Sequence, residues 1–168
     1  MREKNRNVDA VIKSLRTFDL FQTVSDEDLK ELSLLVHSET FPAGTLIIKE
    51  GTEGDTLYLL LDGTVDILKT TIYGDQYVTA SIASGGFSVF GEMALIDQDR
   101  RSATVQAKTE CRTLRISRKD FQDYCRRFPS VGCELLFRIS SNLVRNLRKE
   151  NDNLKLVYEA LIKEIEAY

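Results

Sequence analysis

GGFSVFGEMALI (85–96), followed after a short polar loop by RRSATV (100–105), is the most informative stretch of this chain. A strand is predicted to end near Phe90. Gly91 lets backbone approach a ligand closely, because no Cβ stands in the way. Residues 92–96 suit one helical turn, whose free amides and dipole favour an anion. The chain then returns to Arg101, where the small residues Ser102 and Ala103 leave backbone N–H groups open beside the guanidinium. This is a compact pocket with phosphate donors and one carboxylate, Glu92. A carboxylate beside a phosphate repels it, so Glu92 is expected to accept hydroxyl protons from a sugar while Arg101 takes the phosphate. The bland alternative is a buried Glu92–Arg101 ion pair stitching a strand–loop corner.

Working outward, residues from about 39 to 116 are strand-rich. TLIIK (45–49), TLYLLL (56–61), TVDILKTT (64–71), QYVTASIA (76–83), ATVQAK (103–108) and CRTLRI (111–116) are short β-prone runs. Asp62-Gly63 between two runs predicts a hairpin. Gly74-Asp75 predicts the next turn, and Gly51 and Gly54 punctuate another connection. So many antiparallel strands must hide their edges, which a jelly roll or barrel does.

Helices flank this zone. Val8, Val11, Ile12 and Leu15 share one face of a first helix. Ser25 with Asp28 reads as a capping box, and Leu29, Leu32, Leu35 and Val36 follow at helical spacing. Ser117 with Asp120 repeats the pattern before a Phe121, Cys125, Phe128 stripe. Pro129 is expected to end that helix and open another, with Gly132 its single breaker up to Tyr168. The expected divisions are 1–37 (N-terminal helical segment), 38–128 (roll and following helix) and 129–168 (long C-terminal helix). The fold class is mainly β with α: a β jelly roll, or double-stranded β-helix, between helices.

The long helix carries a heptad. Val144, Asn151, Tyr158 and Ile165 take position a, and Leu147, Leu154, Leu161 and Tyr168 take position d. A single Asn at a favours a parallel two-stranded coiled coil, since only aligned chains let the two amides bond each other. Glu150 at g and Lys155 at the following e offer an interchain ion pair, of small value if exposed. A homodimer is expected. The bland alternative is a surface helix docked on its own domain.

The chain has 168 residues, 42% hydrophobic and 29% charged, which excludes a wholly disordered or collagen-like protein. Lys and Arg total 23 against 26 Asp and Glu, a net charge of −3, which speaks against a general nucleic-acid coat. No run reaches the apolar length of a membrane span. The N-terminus, MREKNRNVDA, is too polar for a signal peptide. A cytoplasmic protein is expected. Cys111, Cys125 and Cys133 fit no zinc spacing and read as buried or inert thiols. The single histidine, His37, follows an apolar helical run and reads as structural. A metal-holding cupin enzyme or a Ser-His-Asp hydrolase is therefore poorly supported, and no metal and no catalytic residue are expected.

FGEMALIDQDRRSATV (90–105) resembles the phosphate-binding cassette of the cyclic-nucleotide-binding domain family, to which the catabolite activator protein and the regulatory subunits of cAMP-dependent protein kinase belong. That cassette reads Phe-Gly-Glu-(Leu/Met)-Ala-Leu, a short loop, then Arg-(Ser/Ala/Thr)-Ala. EGTEGDTLYLLLDGTVDI (50–67) is similar to the family's glycine-rich segment, and the resemblance runs from about Phe18 into the final helix. SGGFSVFGE (84–92) is slightly longer than in many relatives. Arg100 adjoins Arg101, and the spacing to Ser102-Ala103 favours Arg101.

The resemblance implies a regulatory sensor that binds cAMP, with cGMP as the alternative. Phe90, Gly91, Glu92, Met93, Ala94, Arg101, Ser102 and Ala103 would form the site. Glu92 would hold the ribose 2′-hydroxyl, and Arg101 the cyclic phosphate with the Ser102 hydroxyl and the Ala103 amide. Gly91 and the amides of Glu92 and Met93 would complete the cradle. Alignment of the last helix places Glu150 and Asn151 near the base. The expected partners are the nucleotide, a second copy and an unknown downstream protein. No helix-turn-helix follows the long helix, so no DNA-binding output is expected of this chain. The alternative is a jelly-roll scaffold with a vestigial pocket.

Overall fold

The computed structural model describes residues 2–86 and 88–166, with side chains from Val8 onward. Tyr168, the last expected d position, and Phe87 lie outside the described residues. The chain forms two compact units, 1–132 and 133–168.

The first unit opens with α1 (Arg2–Leu15), a 3-10 turn (Asp19–Phe21) and α2 (Asp26–Ser33). Ser25 caps α2 as expected. Its Oγ accepts from the Asp28 N–H at 3.1 Å and donates to the Asp28 carboxylate at 2.6 Å. The helix ends sooner than the Leu35–Val36 spacing suggested, and His37 opens a strand, where it is exposed. His37 is thus not a packed core residue.

Among the described residues, eight antiparallel strands follow: β1 (His37–Phe41), β2 (Leu46–Ile48), β3 (Thr56–Asp62), β4 (Thr64–Thr70), β5 (Gln76–Ala83), β6 (Val89–Phe90), β7 (Thr104–Ala107) and β8 (Cys111–Ser117). They form two four-stranded sheets, β1-β8-β3-β6 and β2-β7-β4-β5. This is the expected jelly roll. Ile48, Leu60, Val65, Phe90, Val105, Ala107 and Cys111 pack together from both sheets. In TLYLLL the polar alternation is missing because both faces are covered: Leu57 and Leu59 are buried, and so is Leu60 on the other face.

The Gly74-Asp75 turn joins a true hairpin, with Thr70 opposite Gln76. The Asp62-Gly63 expectation is corrected. β3 pairs with β8 and β6, while β4 pairs with β5 and β7, so this link is a corner between sheets and not a hairpin. Gly63 alone makes the corner at φ +94°, and a Cβ there would strike the Glu110 carbonyl and lie 2.9 Å from the Cys111 sulfur.

Between the sheets' strands lies α3 (Met93–Ile96), and after β8 comes α4 (Arg118–Arg127). Ser117 caps α4 through Asp120 just as Ser25 caps α2. Its buried residues are Phe121 and Tyr124, and Tyr124 Oη donates to the Asp28 carbonyl at 3.1 Å. Phe121 is buried as expected, but Cys125 and Phe128 are only half-buried, and Tyr124 takes the second buried place. Of the three free thiols, Cys111 is buried, Cys125 half-buried and Cys133 exposed, so Cys133 departs from the expected burial.

Pro129 begins α5 (Pro129–Glu166), a 38-residue helix that rises about 57 Å. In the second unit it carries a stripe of exposed apolar residues. Val144, Leu147, Leu154, Tyr158, Leu161 and Ile165 are 47–67% exposed.

Candidate functional site

Arg101 is held from several sides. Its backbone N–H donates to the Thr52 carbonyl at 2.8 Å, and its own carbonyl accepts from Gly51 at 2.9 Å. Its side chain turns inward, where Nη1 donates to the Gly91 carbonyl at 3.2 Å and Nη2 to the Thr56 carbonyl at 2.9 Å. Two glycines make room for it. A Cβ on Gly54 would fall on Arg101 Nε. A Cβ on Gly91 would lie 2.8 Å from Nη1 and 2.9 Å from the Thr56 carbonyl, and Gly91 also has φ +74°. Burial lowers the Arg101 pKa, with Tyr58 and Asp55 opposing the shift. A guanidinium nonetheless stays charged at neutral pH.

Glu92 stands at the N-cap position of α3 with helical φ −64° and ψ −30°, and its side chain makes no capping bond. Desolvation raises its carboxyl above the ordinary value; its own amide and the Arg101 charge pull the other way. Among the described residues it forms no ion pair, since Arg101 spends its Nη donors on backbone carbonyls. The two groups are near enough to feel each other's charge but are not locked together. The bland ion-pair reading is thus not what the structure contains.

Past Arg101, the loop is anchored differently. Lys69 Nζ donates to the Ser102 carbonyl and pairs with Glu50 Oε1 at 2.9 Å. Thr70 N–H adds a bond to Glu50 Oε2 at 3.0 Å. Lys69 holds the Glu50 carboxyl below its usual range against the cost of burial. The Thr104 hydroxyl accepts from the Glu50 N–H at 3.0 Å. With both ends tied, Ser102 stays exposed and its hydroxyl faces Met93 Sδ at 3.5 Å. Among the described residues, the N–H groups of Ser102 and Ala103 donate to no backbone carbonyl. A cation, two open amides and a hydroxyl on consecutive residues suit a phosphate.

The structure gathers Gly91, Glu92, Met93, Arg101, Ser102 and Ala103 around one loop. Phe90 and Ala94 belong to the same segment but are buried. Phe90 is 3% exposed and stacks on Tyr58, with ring centroids 5.1 Å apart and planes 10° from parallel. Glu150 and Asn151 lie on α5 in the second unit, both exposed. In the sequence Gly54 reads only as a turn residue. Its role as the floor under Arg101 has no local signature. Thr56, Lys69 and Glu50 went unmarked for the same reason, since they reach the loop only through the sheet. Among the described residues, no three His, Cys, Asp or Glu side chains cluster for a metal, and no helix is long and apolar enough to cross a membrane.

Residues 38–128 match the family described as "Cyclic nucleotide-binding domain". The chain is 30% identical over 138 residues to the "Cyclic AMP receptor protein" of Thermus thermophilus, covering 82% of this chain and 61% of that protein. It is 33% identical over 113 residues to a "Cyclic nucleotide-gated potassium channel" of Mesorhizobium japonicum, covering 67% of this chain and 29% of the channel. Among solved structures, the Thermus thermophilus catabolite activator protein superposes with a TM-score of 0.69 at 30% identity, covering 82% of this chain and 62% of that one. This chain therefore spans under two thirds of each of these relatives.

Proposed function

Because the chain belongs to the cyclic nucleotide-binding domain family, we propose that it is a sensor whose α3–β7 loop binds a 3′,5′-cyclic nucleotide, and cAMP in preference to cGMP. The observation that carries this reading is Arg101. Its side chain is half-buried, charged and, among the described residues, bonded only to carbonyl groups, and it lies beside the open amides of Ser102 and Ala103. A carbonyl is a weaker acceptor than an anionic phosphate oxygen, so a cyclic phosphate would draw the guanidinium donors toward itself. Glu92 would then meet the ribose 2′-hydroxyl. An O–H donating to the carboxylate favours its charged form and offsets the desolvation that raises its pKa. The preference for cAMP rests on the name of the Thermus relative.

The same reading assigns α5 to a homodimer and to output. Its exposed apolar heptad, with Asn151 at a, fits a parallel coiled coil between two copies. Nucleotide binding orders the 91–103 loop, the change is read by α5, and a downstream protein senses the helix. Coupling needs different nucleotide affinity for two arrangements of the helix.

A thermal-shift titration with cAMP and cGMP, followed by direct competition, tests the reading. A ligand that binds only the folded state raises Tm with concentration. A Tm that rises with cAMP at lower concentration than with cGMP is the expected outcome. A flat response to both contradicts it.

A further inference from the structure

α3 is only four residues long, so its last carbonyls have no partner within the helix. The Met93 carbonyl is satisfied by the Asp97 N–H at 3.0 Å. The Ala94 carbonyl is satisfied from elsewhere: Arg118 Nε donates to it. Arg118 is the first residue of α4, and its own backbone N–H donates to the Asp55 carbonyl at 2.6 Å. Asp55 precedes Thr56, whose carbonyl takes Arg101 Nη2. A closed circuit results. It runs from Arg101 to Gly91, along the chain to Ala94, across to Arg118, back to Asp55 and Thr56, and again to Arg101.

We propose that Arg118 is a positioning residue that couples the phosphate loop to α4, by holding the Ala94 carbonyl of α3 against the start of α4. The inference rests on the nucleotide-binding reading above and adds the relay that reading lacks. A cation at a helix C-terminus satisfies a carbonyl and favours the negative end of the dipole. Ala94 is buried and Arg118 half-buried, which shields the bond from bulk water. Arg118 is also a like charge near Arg101 and adds a little to the lowering of its pKa that burial causes. A phosphate anion between the loop amides and Arg101 relieves that repulsion. It also withdraws donors from Gly91, whose carbonyl belongs to the residue before the α3 cap. Movement of Gly91 and α3 therefore reaches α4 through the Arg118 side chain. Ser117, the cap of α4, lies opposite Thr56 in the sheet, so the helix start has no slack on its other side.

Hydrogen exchange on the full chain, with and without saturating cAMP, tests the relay. In the wild-type protein, the amides of 92–97 and of 119–127 should both change protection on binding. In Arg118→Gln the first segment should still respond and the second should not, with cAMP affinity weakened about fivefold. Wild-type exchange in 119–127 that ignores cAMP overturns the relay. So does an Arg118→Gln protein whose two segments both respond as in wild type. If Arg118→Gln does not fold, Arg118→Lys is read by the same two outcomes, because it keeps the charge without a planar Nε–H to aim at the carbonyl. A wild-type protein whose calorimetric titration with cAMP and cGMP is flat fails at the earlier step. That result removes the nucleotide-binding reading and the relay with it, and is distinguishable from a relay that fails in a protein that binds.

Discussion

Around Arg101 the partners all come from one chain. Gly91 and Thr56 supply the side chain's acceptors, Gly51 and Thr52 fix its backbone, and Gly54 leaves it room. Along α5 beyond Cys133, the apolar residues of the heptad have nothing comparable, and Val144 to Ile165 remain exposed. The first region is held in place by its own chain. The second has a face that a second helix would complete. Bonds already made around Arg101 reduce what a ligand must still order, whereas a dimer seam draws its free energy from apolar area covered on association.

Breaking the second region should give the largest effect. Leu154→Glu removes a d-position side chain from both strands of the proposed coiled coil and buries charge in its place. Each lost leucine is worth about 1.5–3 kcal/mol, so dimer dissociation should rise by roughly 100-fold or more. Analytical ultracentrifugation reads this directly. A wild-type protein that stays monomeric at every concentration removes the contrast. Breaking the first region from beneath should come next. Gly91→Ala forces a Cβ into a positive-φ site and against the Thr56 carbonyl. A loss of about 1–3 kcal/mol in urea unfolding is expected. Gly54→Ala should spare more of the stability but displace Arg101, with nucleotide affinity down about tenfold.

Glu92 sharpens the comparison within the site. Replacing cAMP by its 2′-deoxy analogue should cost the wild-type protein about fivefold to tenfold in Kd. Glu92→Ala should show little further loss with the analogue. A full second loss means the carboxylate does not meet that hydroxyl. The smallest effect is in pH. Burial raises the Glu92 pKa in the folded protein above its unfolded value, so between the two values the native state holds the extra proton. Its contribution to stability is therefore complete below the ordinary glutamate pKa and is lost as pH rises through the folded value. Glu50 and Asp66 are shifted downward and act in the opposite sense, losing their contribution as pH falls. The Glu92 effect should thus emerge only in the difference between wild type and Glu92→Gln, with the variant gaining relative stability as pH rises through that window.

What was legible in the chain follows the range of the interactions. Ser25–Asp28 and Ser117–Asp120 act over three residues, and both helix starts could be read directly. β5 is an exposed hairpin strand, and its β-prone run gives its bounds, Gln76–Ala83, directly. Asp62-Gly63 was misread because Asp-Gly is a local signal, while the choice between hairpin and corner depends on which sheet the following strand joins. Glu92 and Arg101 could be picked out because their neighbours Gly91 and Ser102-Ala103 are adjacent in sequence. Gly54, Lys69 and Arg118 could not, because each reaches the loop across the fold from 47, 33 and 24 positions away in the chain.

The central claim is that Arg101 is held ready for a cyclic phosphate. Isothermal titration of cAMP into the wild-type protein and into Arg101→Ala tests it most directly. Saturable binding to the wild type and a loss of at least about tenfold in the variant are expected, as one charge-assisted bond to phosphate implies. Equal affinity in the two proteins would contradict it.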